Sequence, residues 1–533
     1  MRDFHLPGRS PARGVRGMAA TSMPVATLAA LDVLRAGGNA LDAAVAACAV
    51  LGVVEPHSTG IGGDCFCLYA PAGTGQVIAM NGSGKAPAAA TIDWFEGKGI
   101  SALDPNSAHS VTIPGAVRAW EALLARHGRK GLDELLQPAI RLAEEGHPVH
   151  DRVATDWAAA AEKLAADPDS RARFLPGGAA PKPGHVFRQP ELAETLRRIA
   201  REGSKGFYEG PVAADMVAKL RAIGGLHTEE DFANASAEFV TPIRAAWKGH
   251  EIVQCPPNGS GLLVLMLAGI LEGYDPAAEG PMSAERWHRA VEAARLVYRD
   301  RDAFLADPAQ ADVPVARLTS PAYLAALRRA IDPAAAMREL PPAGLAEIMP
   351  VHADTVYLSV VDGEGNACSF INSLFQSFGS CILAPGSGVM LHNRGFGFRV
   401  ERGHPNCIAP NKRPMHTIIP GMLMKDGRAV MSFGVMGGHY QPMGQTSLLS
   451  NMFDYGMDIQ EALDAPRVFP WAGEVQVERG VPAATVDRLA RMGHTPKLLD
   501  KPHGGGQAIW IDHATGSLAG ASDPRKDGCA MGY

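Results

Sequence analysis

The stretch VYLSVVDGEGNACSFINS, residues 356–373, constrains the fold more than any other part of the chain. Two runs rich in β-branched and aromatic residues flank an Asp-Gly-Glu-Gly turn, which is a hairpin signature. GMLMKDGRAVMSFGV at 421–435 and QAIWIDHATGSLAGASD at 507–523 carry the same signature, with a helical pattern at 437–456 between them. Before this the texture is different. Residues 18–56 read as two helices separated by Gly37-Gly38, with Asn39 placed to cap the second. That second helix, ALDAAVAACAVLGVV, is apolar nearly all round, so it belongs inside the protein. STGIGGDCFCLYA follows as a glycine turn feeding a strand, and amphipathic alanine-rich helices then dominate from about 116 to 345. A helix-rich first part and a hairpin-rich last third imply helices layered over antiparallel sheet.

Composition narrows the function. With 46% hydrophobic and 20% charged residues, the chain of 533 residues is globular, and its length allows one large domain or two intimate ones. A formal net charge of −6 supplies no basic field for nucleic acid or anionic lipid, so small molecules are the expected partners. The apolar run at 40–54 is interrupted by Asp42 and falls short of the roughly 20 residues that span a bilayer. The first twenty residues lack the apolar core of a secretory signal. Eight scattered cysteines read as reduced thiols, and the expected compartment is the cytoplasm. His57, His352, His404 and His439 have no metal-ligand spacing and read as scattered structural or surface residues. STGIGGD lacks the full dinucleotide fingerprint and sits between a helix and a strand, so it reads as close packing or the floor of a site. No metal and no cofactor are expected.

One Asp-Thr pair, Asp354-Thr355, stands where a surface segment meets the first run of the leading hairpin. Alone it says little. Taken with STGIGGD, VTIPGAV, GFYEGPVA, GGLHTEEDF, PPNGSG, DTVYLSVVD, NKRP, GVMGGHY and AGASDPR in that order, the chain resembles the γ-glutamyltranspeptidase family of self-processing N-terminal-nucleophile hydrolases. The resemblance implies a four-layer αββα sandwich formed jointly by two subunits. The helix-rich subunit would span 1–354 and the catalytic subunit 355–533, released by cleavage between Asp354 and Thr355 and held as an obligate heterodimer. Physical chemistry gives the cut a purpose. A threonine hydroxyl is a weak nucleophile within a chain, but at a new N-terminus its own α-amine, with a pKa of about 7.7–8.0, can take the proton. By the same resemblance Ser373 assists the nucleophile, and the backbone N–H groups of Gly437 and Gly438 stabilise the oxyanion.

The chain departs from the family where glutamate would be recognised. Ser83 stands at the position of the arginine that clamps the α-carboxylate, and a hydroxyl cannot replace a bidentate guanidinium. His416 and Thr417 stand for the family's serine pair. The ammonium cradle aligns with Phe375, Arg394 and Gly397, which leaves a cation where an acceptor should be. Two like charges about 4 Å apart at an effective dielectric near 20 repel by roughly 4 kcal/mol, about a thousandfold in affinity. Arg394, with His416 and Thr417, therefore suits a substrate carboxylate with no α-amine beside it. Only RVERGHPNCIAP separates HNRGFGF from NKRP, so the covering loop is short and hydrolysis is favoured over transfer. These features resemble the branch that includes oxamate amidohydrolases, with cephalosporin acylases as relatives. The expected activity is hydrolysis of an amide on a small carboxylate-bearing substrate. A glutathione-type γ-glutamyl hydrolase or transpeptidase, a glutaryl acylase, and an uncleaved binding protein are the rivals.

Overall fold

The computed structural model describes residues 8–341 and 353–533. Two seven-stranded sheets lie at its centre. In chain order their strands are β1 (Ala12–Gly14), β2 (Gly17–Thr21), β3 (Asp64–Ala70), β4 (Ile78–Gly82), β5 (Glu238–Val240), β6 (Ile243–Trp247) and β7 (His250–Gln254), followed by β8 (Ala353–Asp362), β9 (Ala367–Gln376), β10 (Gly421–Lys425), β11 (Arg428–Met436), β12 (Gly505–Asp512), β13 (Ser517–Ser522) and β14 (Cys529–Gly532). One sheet runs β14-β2-β8-β9-β3-β4-β5, the other β1-β13-β12-β11-β10-β7-β6. Every neighbouring pair in both is antiparallel.

Strand alternation sorts the layers, because successive side chains point to opposite faces. Val356, Leu358, Val360, Cys368 and Phe370 join helices α1 (Pro24–Arg35) and α2 (Ala40–Val54) in one apolar cluster. Tyr357, Val361 and Ile371 of the same two strands point the other way, onto Val253, Met422 and Ile509 of the second sheet. Helices α3 (Gly261–Leu271) and α4 (Gln441–Phe453) cover that sheet's outer face through Val264, Leu265, Leu448 and Leu449, packed on Leu423, Met431 and Phe433. The order helix, sheet, sheet, helix is the expected αββα sandwich. Between the sheets, the Tyr357 hydroxyl meets Ser359 Oγ at 2.7 Å and Ser369 Oγ at 2.8 Å. Gly434 admits the ring, since a Cβ there would run into it.

The local expectations hold where turn and cap chemistry carried them. Asp362 closes the leading hairpin by accepting the Glu364 and Asn366 amides, each at 3.0 Å, with Gly365 at φ +87°. Asn39 caps α2 in a reciprocal box with Asp42, an arrangement worth about 1 kcal/mol. The two later hairpins form as β10–β11 and β12–β13, and α4 lies between them. Two expectations are corrected. Residues 17–21 are strand β2 rather than the start of a helix, because β8 and β14 pair with them on either side. The helix-rich part also contributes β5, β6 and β7, short segments at the far ends of the two sheets whose order is set by their neighbours.

Candidate active site

Strand register positions the Asp-Thr pair. Asp354 pairs with Phe375 and Val356 with Asn372, so the ladder shifts between them and Thr355 sits at a β-bulge, a device that re-aims a side chain. Thr355 is 1% exposed, and its Oγ1 lies 3.1 Å from Ser373 Oγ. Phe375 has a left-handed backbone, φ +81°, which turns its amide back to donate to Ser373 Oγ at 2.8 Å. The two hydroxyls expected to work together are thus brought together.

Gly437 and Gly438 end β11 with φ values of +116° and +53°. A side chain at Gly437 would be strained by that backbone and would meet Gly504 Cα at 3.0 Å. Gly437 and Thr355 line one cleft, together with His439, Tyr440, Trp471 and Lys526; Gly438 is buried beside it. His439, set aside in the sequence, is therefore a wall of the cleft. It stacks on Trp471 with centroids 4.8 Å apart, and its Nδ1 accepts from Arg301 at 2.8 Å. Burial, followed by Arg301 and Arg394, keeps it neutral by pushing its pKa well down. Its place directly after the glycine pair was the signal available.

Arg394 is completely buried. Its guanidinium lies flat on Phe375, with Cζ 4.0 Å from the ring centroid, and Nη1 donates to Thr417 Oγ1 at 2.9 Å. Among the described residues Nε and Nη2 have no hydrogen-bond partner. Burial pushes the pKa down to about 9, and Asp64 works against that shift. Arg394 neither points to solvent nor pairs with Glu401, which is exposed. Phe375 and Arg394, separate in sequence, form one platform.

His416 is committed elsewhere. Its Nδ1 accepts the Ile418 amide at 3.3 Å, which puts the proton on Nε2, and Nε2 donates to Asp64 Oδ2 at 3.0 Å. Burial first and Arg394 second push its pKa down to about 3. With both nitrogens engaged, His416 has no free donor for a substrate and supports the site through Asp64 instead. Asp64, the last residue of STGIGGD, was not singled out in the sequence, and it is the buried carboxylate on which these groups converge. Its Oδ1 accepts the Gly84 and Gly115 amides at 2.9 and 3.2 Å, and His392 Nδ1 faces Oδ2 at 3.5 Å. Burial works to raise this carboxyl, but His392, His416 and Arg394 together hold it below its usual range.

Ser83 fills the family's arginine position with a closed network: it donates to Asn81 Oδ1 at 2.7 Å and accepts from Asn258 Nδ2 at 3.2 Å. Gly397, the third cradle position, has no side chain to offer, and its carbonyl accepts from Asn406 Nδ2 at 2.6 Å. The short loop after Arg394 is pinned back on itself, with the Ile408 amide donating to the Arg399 carbonyl at 2.9 Å, the Arg399 amide to the Asn406 carbonyl at 3.0 Å, and His404 bonded to the Asp302 carbonyl at 3.0 Å. None of residues 399–410 lines the cleft over Thr355.

A buried threonine at a strand bulge, a glycine pair beside it and an αββα sandwich beneath define an N-terminal-nucleophile hydrolase, a class that acts on C–N bonds. The gamma-glutamyltranspeptidase family model matches residues 26–533, and the chain belongs to that family. A glutathione hydrolase-like proenzyme of Bacillus subtilis is 38% identical over 97% of the chain and 99% of its own length. An oxamate amidohydrolase proenzyme of Klebsiella pneumoniae is 36% identical, covering 97% of the chain and 98% of its own length. The crystal structure of a cephalosporin acylase from Bacillus halodurans superposes with a TM-score of 0.93 at 38% identity, over 100% of this chain and 99% of that one.

Proposed function

We propose that the chain is a proenzyme that cuts itself between Asp354 and Thr355 and then hydrolyses the amide of a small substrate carrying a carboxylate next to the scissile group, as oxamate does. The cut gives subunits 1–354 and 355–533, which stay together as a heterodimer. In the cut form the Thr355 α-amine takes the hydroxyl proton as Oγ1 attacks the amide carbon. The Gly437 and Gly438 N–H groups hold the oxyanion, and Ser373 orients Oγ1. The C–N bond then breaks, the nitrogen leaves with that proton as ammonia or an amine, and water hydrolyses the Thr355 ester to release the acid. Oxamate would yield oxalate and ammonia.

Arg394 carries the choice of substrate: a fully buried guanidinium with two unpartnered nitrogens fits a carboxylate, which accepts two parallel N–H bonds. The same cation repels the α-ammonium of a γ-glutamyl group, and the tied-down Ser83 leaves no clamp for its α-carboxylate. The Klebsiella relative, an oxamate amidohydrolase, supports this choice. The proposed compartment is the cytoplasm, in keeping with eight free cysteines. No helix among the described residues is long and apolar enough to cross a membrane. Mass spectrometry of purified protein, paired with turnover of oxamate against a γ-glutamyl anilide, tests the reading. Two fragments divided at 354/355 and preferred oxamate turnover are expected; brisk release from the anilide with none from oxamate overturns the assignment of Arg394.

A further inference from the structure

Arg394 is a buried cation with no ion-pair partner in contact among the described residues, and such a charge is costly unless something nearby balances it. The titratable and charged groups facing it are Asp64 from β3, His392 from its own segment, His416 from the approach to β10, and His439 after β11. The three imidazoles have lowered pKa values, with burial the largest cause, so Asp64 is the anion of the set.

Asp64 does not reach Arg394, and its hydrogen bonds say why. Three donors converge on its carboxylate: the Gly84 amide, the Gly115 amide and His416 Nε2–H. A carboxylate held this way cannot swing over to close a bidentate bridge with the guanidinium. Had it done so, the Arg394 nitrogens would be filled by the protein itself, and a substrate carboxylate would have to displace one of its own kind. Instead the charge is balanced across a gap while Nε and Nη2 stay open.

We propose that Asp64 is a specificity-determining positioning residue, a clamped counter-ion that keeps Arg394 charged yet uncommitted and so reserves it for an acyl group bearing one carboxylate. The proposal rests on the reading of Arg394 as the carboxylate site. It also gives the glycine-rich STGIGGD turn a chemical duty, delivery of a buried anion by the part of the chain before the cut.

The test is a double-mutant cycle of D64N, R394M and D64N/R394M, read in two ways. With oxamate, D64N should raise KM at least tenfold, change kcat less than about threefold, and move the alkaline limb of kcat/KM to lower pH. In the R394M background the same change should add nothing further. Additive losses, or a lower kcat with KM and limb unmoved, overturn the proposal. The second reading, of thermal stability and self-cleavage, needs no substrate. D64N leaves Arg394 without its counter-ion, so D64N/R394M should be more stable than D64N alone and should mature faster than it; equal defects in both overturn the proposal. If wild-type protein ignores oxamate, the substrate assignment fails, and the stability cycle still decides the role of Asp64.

Discussion

Thr355 and Arg394 are buried in the same core but in opposite physical settings. Beside Thr355 stand a serine hydroxyl, a glycine pair and a network of hydroxyls deeper between the sheets, with Lys526 on the wall of the same cleft. Arg394 touches Phe375 and Thr417, and the ionisable groups that face it, Asp64, His392 and His416, come from loops and strand ends rather than from within one hairpin. The reacting group is thus fixed by strand register, and the recognising group by an electrostatic balance among distant segments. The first arrangement suits a hydroxyl that must be aimed. The second lets one scaffold change substrates by exchanging a few charged side chains.

Breaking one half should leave the other standing. T355A removes the nucleophile of both reactions, so the chain should stay a single band near 56.1 kDa on a denaturing gel with no measurable turnover. R394M should still mature fully, since self-cleavage acts on a peptide bond that needs no carboxylate site. Its kcat/KM for oxamate should fall by about a hundredfold or more, mostly through KM, because each charge-assisted hydrogen bond is worth roughly 1.5–3 kcal/mol. Maturation gels beside steady-state kinetics would show whether the halves separate in this way.

The pH profile sharpens the contrast. The rising limb of kcat/KM should follow loss of the proton from the Thr355 amine, near the free α-amino range of about 7.7–8.0. The falling limb should follow Arg394. Its pKa is pushed down to about 9, so the cation is present below that pH and is lost as pH rises through it. Carboxylate binding then weakens about tenfold per pH unit, and R394M should lack this limb. The smallest effect is expected from S373A. Loss of one neutral hydrogen bond should lower kcat about five- to tenfold with KM little changed.

The same division governs what could be read without coordinates. The hairpin at 353–376 was legible because its turn is local chemistry, with Asp362, Gly365 and Asn366 within five residues. β2 was read as helix because Met-Ala-Ala-Thr has no period of its own, and its state is decided by β8, more than three hundred residues away. Thr355, Ser373 and Gly437 were reached through the resemblance, and the geometry brings them together. His416 was expected to orient a substrate carboxylate, and spacing cannot show that Ile418 and Asp64 claim both its nitrogens. Asp64 had no local signal at all. Its donors lie 20, 51 and 352 positions along the chain, so a lone acid in a glycine turn looks like any other turn acid.

The sheet that holds Thr355 runs β14-β2-β8-β9-β3, so segments from either side of residue 354 alternate across it. The Tyr533 carbonyl also accepts the Val15 and Arg16 amides at 2.9 and 2.7 Å, fastening β14 to the opposite end of the polypeptide. A scission at 354/355 would therefore free a nucleophile without freeing a partner. Each product would be left with strands whose sheet neighbours belong to the other, so fragments expressed from two messages and mixed afterwards should aggregate where a single nicked translation product survives.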